Sequence, residues 1–505
     1  MSHKSILPRF CLAAGLALAG SCNGAYADET PGQILRIGDD TIAMPKPLSP
    51  LLQQAVYAYV YGYAPVYFDV SMKTYTNVET PSVDPNKLWA PVNQFFHGRR
   101  QQTRDNTMGV APKSDTLYSL AYLDLSKEPI VWHLPAWAGH YYVCPLHNQW
   151  ADNISVGNRA NPNPVAVDYV VTAPNWHGKL PDGVRRIQHD GDHAMILCRI
   201  GQDFDKASLD SAHRFQDGMT LTPLSAWHKG GHYAPPKGVV DPAVTPNMSV
   251  TVPKQIASWD AATFFSRLAA VLPLNPPTPE DTEAVAILKS FGVEQGRPFD
   301  FAALPADKQQ ALTEAQSLIL PLLHRALGNL GPNVNGWPYA IFVGRYQKHY
   351  LMRGAAAAFG FSGNMKEDNM QSVNYRDAAG QQLNGDHAYT IHFAPGMTPP
   401  VDGFWSYTIY DTATFDIFAP QGRNPVGSHD NTNPLTFNAD GSLDIYVQSH
   451  STGDAAKDHN WLATPAGKDF LIYFRAYGPR PEMYIFNSAT GSPGYVVPAL
   501  VRSGQ

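Results

Sequence analysis

The stretch KSDTLYSLAYLDLS, residues 113–126, alternates like a β-strand but begins with polar side chains. Leu117, Ala121 and Leu123 fall on one face of such a strand, while Tyr118 and Tyr122 fall on the other. The stretch therefore predicts a strand of a sheet. Its polar start needs a separate explanation.

Further short apolar runs, separated by Gly, Pro, Asn and Asp, predict a β-rich region over 93–201. The segment 51–63 (LLQQAVYAYVYGY) has helical spacing and predicts a packing helix that stops at Gly62 and Pro65. Three helical segments follow within 259–328, and a fourth at 345–359 leads into a second β region. We expect an α+β, β-dominated fold.

Length and composition set limits on the class of protein. A chain of 505 residues exceeds the usual size of one core, so two domains are expected. Hydrophobic residues make up 44% and charged residues 16%, which indicates a globular chain. A formal net charge of −6 argues against nucleic-acid binding.

The first 27 residues have the pattern of an export signal. Lys4 and Arg9 precede an apolar run at 10–20, and Ala25-Tyr26-Ala27 suits cleavage by signal peptidase. A rival interpretation takes residues 18–22 as a lipobox, which would place a lipid anchor on Cys22. We expect a protein in the periplasm or outside the cell, either free or lipid-anchored, and no later segment predicts a transmembrane span.

Cys144 and Cys198 lie beyond this signal, in strand-like runs. An oxidising compartment permits a disulfide between them, and two buried free thiols are the alternative.

Several separated blocks resemble one bacterial family. YVYGY (59–63), NQFFHGR (93–99), DTLYS (115–119), DNISVGNR (152–159) and LTPL (221–224) resemble DUF1254. DGFWSYTIYD (402–411), NADGSLDIYVQ (438–448), NWLATPAG (460–467) and RAYGPRP (475–481) resemble its usual partner, DUF1214. The resemblance implies an exported protein with two β-sandwich-like domains joined by helices. It implies a signal peptide at 1–27, a DUF1254-like domain at 45–228, a linker and helical middle region at 229–360, and a DUF1214-like domain at 361–505.

The polar start of the 113–126 strand is the first candidate site. Its plain interpretation is a turn, with Asp115 accepting backbone N–H bonds and Tyr118 buried. The functional interpretation is a pocket in which Asp115 or His97 is the acid or base and Tyr118 donates a proton. Arg99 and Ser119 would then bind substrate.

A second candidate site follows a predicted strand at residues 147–159. Its acid, its amides and the indole of Trp150 suit a polyhydroxylated or carboxylated small molecule, bound by hydrogen bonds and stacking. The candidate binding residues are His147, Asn148, Asp152, Asn153 and Arg159, with Arg159 as an alternative anchor for a carboxylate. An ordered loop uses the same side chains to satisfy its own hydrogen bonds.

The string HDGDH, 189–193, has metal-binding side chains, but DGD is also an ordinary tight turn. No P-loop, dinucleotide fingerprint or nucleophile elbow is found, and the sequence leaves any cofactor unknown.

These patterns favour an exported protein that binds, and in a catalytic version hydrolyses or isomerises, a small organic or sugar-like molecule. The alternatives are a non-catalytic envelope binding or adhesion module and a metal-dependent enzyme. Whether the chain is an enzyme is left open by the sequence.

Overall fold

The computed structural model describes residues 32–503 except 85, 105–110, 138, 140, 160–164, 229–230, 328–330, 413 and 419–421. The predicted signal peptide and Cys22 lie outside the described residues. In the described part of the chain, no helix is both long enough and apolar enough to cross a bilayer.

The described chain opens with a hairpin and a long helix: β1 (Gln33–Ile37), β2 (Asp40–Met44) and α1 (Pro50–Tyr75). The predicted stop of this helix at Gly62 and Pro65 is wrong, because α1 continues for ten residues beyond the proline. An interior proline costs roughly 3 kcal/mol. Burial of α1 on nearly all sides outweighs that cost.

The N-terminal β domain follows α1. Its elements are β3 (Phe96–His97), β4 (Thr116–Asp124), β5 (Ile130–Leu134), β6 (Tyr142–Val143), β7 (Leu146–His147), β8 (Asn153–Ile154), β9 (Val167–Thr172), β10 (Arg185–Gln188), β11 (His193–Gly201), α2 (Lys206–Gly218) and β12 (Thr220–Pro223). One sheet has the order β3-β4-β11-β7-β8, with β6 also paired to β11, and the other has the order β10-β9-β5-β12. The two sheets enclose a common apolar core.

Strand β4 confirms the alternation predicted for residues 113–126. Leu117, Ala121 and Leu123 lie in the core between the two sheets. Tyr118 and Tyr122 lie on the opposite face, in the core of the helical region. Strand β4 therefore separates two cores and is buried on both faces.

The middle region consists of α3 (Val252–Ala257), α4 (Ala261–Val271), α5 (Thr282–Ser290), α6 (Ala306–Ala326), the hairpin β13 (Asn333–Val334) and β14 (Trp337–Pro338), and α7 (Tyr350–Gly360). The four helical segments predicted here each contain a helix. Helices α3 to α7 pack around α1 and share one apolar core with it.

The C-terminal β domain contains β15 (Asn369–Asn374), β16 (Tyr389–Phe393), β17 (Trp405–Asp411), β18 (Val426–Gly427), β19 (Leu443–Gln448), α8 (Ala455–Asp458), β20 (Trp461–Ala463), β21 (Phe470–Tyr477), β22 (Phe486–Asn487), β23 (Ser492–Pro493) and β24 (Val501–Arg502). Sheets of order β15-β21-β17-β18 and β20-β19-β16-β24 enclose its core. The two β-sandwich-like domains and the helical middle confirm the expected α+β fold class.

A disulfide joins Cys144 to Cys198 in the N-terminal β domain. Cys198 lies on β11, and Cys144 lies between β6 and β7, which both pair with β11. Of the two alternatives that the sequence leaves open, the structure has the bridge.

Candidate functional site

Asp115 lies at the contact between the two β domains and is fully buried. Its carboxylate accepts a hydrogen bond from the Tyr477 hydroxyl at 2.5 Å and another from the Ser406 hydroxyl. No backbone N–H of the described residues donates to it, so the expected turn cap is not what holds Asp115. The polar start of β4 provides a buried acceptor for side chains of β17 and β21.

Tyr118 and Lys113 belong to the same closed centre. The Tyr118 hydroxyl accepts the backbone N–H of Lys113 at 2.8 Å, and the Nζ atom of Lys113 contacts the side-chain oxygen of Asn369. Burial raises the pKa of Tyr118. The same burial, with the charges of Arg199 and Arg475, lowers the pKa of Lys113 well below its ordinary value.

His97 and Ser119 lie on the other face of β4. The imidazole Nδ1 of His97 is 2.8 Å from the Ser119 hydroxyl, which also accepts from the Gln216 amide at 3.0 Å. Burial, followed by the charge of Arg99, lowers the pKa of His97 to about 4. Arg99 itself is paired with Asp217 at the end of α2. The structure therefore does not bring His97 together with Asp115 and Tyr118.

The loop after β7 largely satisfies its own hydrogen bonds. The side-chain oxygen of Asn148 accepts the backbone N–H groups of Trp150 at 2.9 Å and Asp152 at 3.1 Å, and its amide donates to Asp190 at 2.7 Å. The Asn153 amide donates to the Gly363 carbonyl at 3.0 Å. These contacts fix the shape of the loop.

His147 and Arg159, at the ends of this candidate cluster, lie in different surroundings. His147 is fully buried, and burial, followed by the charge of Arg199, lowers its pKa to about 3. Arg159 makes a two-pronged ion pair with Asp368, at 2.9 and 3.1 Å. That pair fastens the N-terminal β domain to the C-terminal one.

Trp150 and Asp152 line a cleft with a volume of about 520 Å³. Three segments form its walls: the loop after β7, the residues before α5, and the residues leading into α7. Its lining carries both signs of charge and an indole, from Trp150, Asp152, Thr278, Pro279, Glu280, Asp281, Arg345, Gln347, Lys348 and Arg353. A further cavity of about 30 Å³, lined by Tyr59 and Tyr63 among others, has room for little more than water.

Arg353 is the most unusual member of this lining, because it is only 3% exposed and makes no ion pair with a described carboxylate. Its guanidinium carbon lies 4.6 Å from the ring centre of Trp150, 4.8 Å from that of Tyr350 and 5.0 Å from that of Tyr61. Its Nε has no hydrogen-bond partner among the described atoms. Because burying an unpaired charge is costly, such a cation favours the binding of an anion.

Helix α1 contributes to the position of Arg353. Pro65 has no N–H to donate to the carbonyl of Tyr61, four residues earlier in the helix. That carbonyl instead faces Arg353, whose Nη2 lies 3.4 Å away. Pro65, at which the sequence predicts the end of the helix, thus leaves the Tyr61 carbonyl free to accept from Arg353.

Three carboxyl residues line the same cleft, Asp152, Glu280 and Asp281, and two of them have buried or well-bonded carboxyl groups. Burial raises the pKa of Asp152, while the backbone N–H of Tyr346, at 2.7 Å, and the charge of Arg353 oppose the rise. Asp281 accepts the N–H and the hydroxyl of Thr278, each at 2.9 Å, and the hydroxyl of Tyr350. Burial thus favours the protonated form of Asp152, whereas Asp281 accepts hydrogen bonds from three donors.

The sequence interpretation missed Asp281, Arg345, Lys348 and Arg353. One signal was present, because Arg353 is the only charged residue in the apolar stretch YLMRGAAAAFG of α7. A lone charge in a buried helix is expensive and calls for a partner.

The string at 189–193 forms a turn. His189 Nδ1 lies 2.8 Å from the Gly191 carbonyl, and Asp190 accepts from Asn148. Over the residues that the structure describes, no three His, Cys, Asp or Glu side chains are grouped to hold a metal ion.

The fold and its sites thus define an α+β protein with two β-sandwich-like domains, a polar centre between them and a cleft beside the helical region. The profile of DUF1254, a protein family of unknown function, matches residues 92–223. The profile of DUF1214, also of unknown function, matches residues 368–481. The chain thus contains both domains, DUF1254 followed by DUF1214, which confirms the resemblance.

Two solved structures match the chain over most of its length. The chain is similar to the crystal structure of the VPA0106 protein from Vibrio parahaemolyticus, with a TM-score of 0.60 and 19% identity over 90% of this chain and 99% of that one. A protein from Burkholderia cenocepacia matches with a TM-score of 0.42 and 14% identity, covering 86% of this chain and 87% of that one. The first match supports the fold alone. The comparison with curated proteins finds no significant match.

Proposed function

We propose that the protein binds a small organic molecule carrying a carboxylate, such as a sugar acid, in the cleft beside Arg353. The observation that carries this proposal is a guanidinium that is buried, surrounded by aromatic rings and free of any described ion-pair partner. An incoming carboxylate would accept from the guanidinium group and offset the cost of burying the charge. Arg345 and Lys348, in the same lining, would add to the attraction.

The remaining lining suits the body of such a ligand. Trp150 offers an indole for stacking, while Asp152 and Asp281 offer acceptors for hydroxyl groups. In a catalytic version, Asp152 takes the role of proton donor, because burial already favours its protonated form. This proposal moves the site from the Asp115 strand to the second candidate cluster.

We further propose that the protein is exported and acts in the periplasm or outside the cell. The signal pattern of the first 27 residues supports this location, and the Cys144–Cys198 bridge suits an oxidising compartment. The adhesion alternative gains no comparable support. Among the described residues with a large apolar side chain at the surface, the exposed positions are scattered and mostly aliphatic.

Thermal unfolding with matched pairs of compounds tests the binding proposal. Each acid is compared with its neutral counterpart, for example galacturonate with galactose and benzoate with benzamide. A ligand at ~100 times its dissociation constant stabilises a protein by about 2.7 kcal/mol. We expect at least one acid to raise the unfolding temperature while its neutral counterpart does not. Equal effects within every pair, or no effect from any acid, would contradict the proposal.

A further inference from the structure

The closed centre between the two β domains has more buried positive charge than the described acids balance. Arg199 is 6% exposed, Arg475 is 1% exposed and Lys113 is 5% exposed. Asp115 is the carboxylate that interacts electrostatically with both Lys113 and Arg475. Its two oxygens are already taken up by the hydroxyls of Ser406 and Tyr477.

Neither arginine has its donors satisfied. Arg475 donates from Nη2 to the Ala111 carbonyl at 3.0 Å, and its guanidinium group lies over the rings of Tyr410 and Tyr473 and interacts with the Tyr410 hydroxyl. Its Nε and Nη1 make no hydrogen bond of normal geometry with the described atoms. Arg199 donates from its Nη atoms to Asn364 and Ser362, while its Nε is likewise without a partner. Within the described part of the chain, neither guanidinium forms an ion pair with a carboxylate.

The sheet of the C-terminal domain places further donors beside Arg475. Ser406 and Thr408 lie two residues apart on β17, and Ser406 is directly opposite Arg475 on β21. Side chains two residues apart on a strand share a face. Thr408 is fully buried, and its hydroxyl has no partner in the described structure. Thr408 and Arg475 thus bring unsatisfied donors to the same face of the sheet.

A charge count gives the size of the imbalance. Burial, followed by the charges of Arg199 and Arg475, lowers the pKa of Lys113 and so favours its neutral amine. Even without Lys113, two buried guanidinium groups stand against the single carboxylate of Asp115, which leaves at least one positive charge in excess. An uncompensated charge is very costly in an apolar interior.

We infer that a small monovalent anion, of the size and charge of chloride, binds at this centre between Arg475, Arg199 and Thr408. The anion accepts from the free guanidinium and hydroxyl donors and removes the excess charge. Because its ligands come from β11 of one β domain and from β17 and β21 of the other, it fastens the two domains together. This site shares no residue with the Arg353 cleft and does not depend on the function proposed for that cleft.

Thermal unfolding in sodium chloride and in sodium gluconate at equal ionic strength tests the inference. Chloride is expected to give a saturable rise of a few degrees in the unfolding temperature, which the larger gluconate ion does not give. Arg475→Met is expected to abolish the difference between the two salts. The control Arg480→Gln, which changes an exposed arginine of the same domain, is expected to keep it. An equal effect of both salts on the unaltered protein would overturn the inference.

If Arg475→Met does not fold, crystals of the unaltered protein in bromide give the second measurement. An anomalous peak beside the Nε and Nη1 atoms of Arg475 is expected. Absence of a peak at that position, with bromide found elsewhere in the same crystal, would overturn the inference.

Discussion

The charge of Asp152 depends on how strongly burial disfavours its carboxylate. Because its pKa is raised in the folded state, folding favours the proton, and ionising the group lowers stability as the pH rises above the ordinary value near 3.8. Asp152→Asn removes that cost and keeps an oxygen for the Tyr346 N–H. We expect the stability of the variant, relative to the unaltered protein, to increase from pH 4 to pH 7 in chemical denaturation. A difference independent of pH would contradict the raised pKa.

Arg353 is a buried cation without an ion pair among the described residues, so its contribution to stability can be tested by substitution. In the free protein Arg353 contacts three aromatic rings and makes one long hydrogen bond, and its charge interacts with Asp152 without forming an ion pair. Replacing a poorly paired buried charge by an apolar side chain of similar length is often neutral or stabilising by about 1–4 kcal/mol. We expect Arg353→Met to unfold at the same or a higher denaturant concentration than the unaltered protein. A loss of stability of more than about 2 kcal/mol would show that Arg353 mainly holds the fold together.

At this scale the sequence predicted residue types better than residue partners. The second candidate cluster contains Trp150 and Asp152, which do line the cleft, because indole and carboxylate side chains in one loop are a local signal. Arg353 completes that site from about two hundred residues further along the chain. Likewise, the partners of Asp115 lie 291 and 362 residues away, so no local pattern could reveal them.

Helix α1 packs closely against α4 at Gly62. A Cβ at this position would lie 2.4 Å from Cδ2 of the buried Leu268. We expect Gly62→Ala to destabilise the protein by about 1–3 kcal/mol, as overpacking does in tight cores. The control is Gly360→Ala at the end of α7, where the added Cβ meets no atom within 4 Å. That change is expected to be neutral or stabilising by up to about 1 kcal/mol in the same denaturation experiment. Equal effects of the two changes would show that α1 and α4 are not tightly packed.

The elements were predictable wherever the local pattern agreed with burial. The alternating run at 443–448 predicts a strand, and β19 has the same bounds because the alternation matches one buried face. The sequence at 437–442, with Asp-Gly between apolar runs, predicts a hairpin. The turn forms with Gly441 at a φ of +85°, but the residues preceding it are not a strand, so the prediction of a hairpin is wrong. The Asp-Gly pair is sufficient to form the turn, but a hairpin also needs a strand on each side of it.

The two β domains are held together by polar contacts across their interface. Removing the carboxylate of Asp115 leaves the hydroxyls of Ser406 and Tyr477 buried without their acceptor. We expect Asp115→Ala to lower the free energy of unfolding by about 2–4 kcal/mol and to leave ligand binding in the Arg353 cleft unchanged.

Asp402→Ala is the control for this change, since its carboxylate forms an exposed pair with Arg480. A loss below about 1 kcal/mol is expected for the control. Loss of ligand binding in a folded Asp115→Ala variant would return the site to the Asp115 strand.

For the whole molecule, composition and separated sequence blocks were sufficient to predict the class of fold and the two matched domains. Neither could predict the cleft, because its walls come from three segments that meet only after the helical region packs on the N-terminal β domain. The domain boundaries at 45, 229 and 361 stay predictions. The two family matches fall inside the first and third of these regions.

Calorimetric titration of the unaltered protein and of Arg353→Gln with the acid that stabilises it most tests the central claim directly. Arg297→Gln serves as the control, because Arg297 is an exposed arginine of the same helical region. The unaltered protein and Arg297→Gln are expected to bind the acid equally well. Arg353→Gln is expected to bind it at least tenfold more weakly, since a charge-assisted pair contributes about 1.5–3 kcal/mol. Equal affinity in all three proteins would contradict the account of the cleft as a carboxylate site.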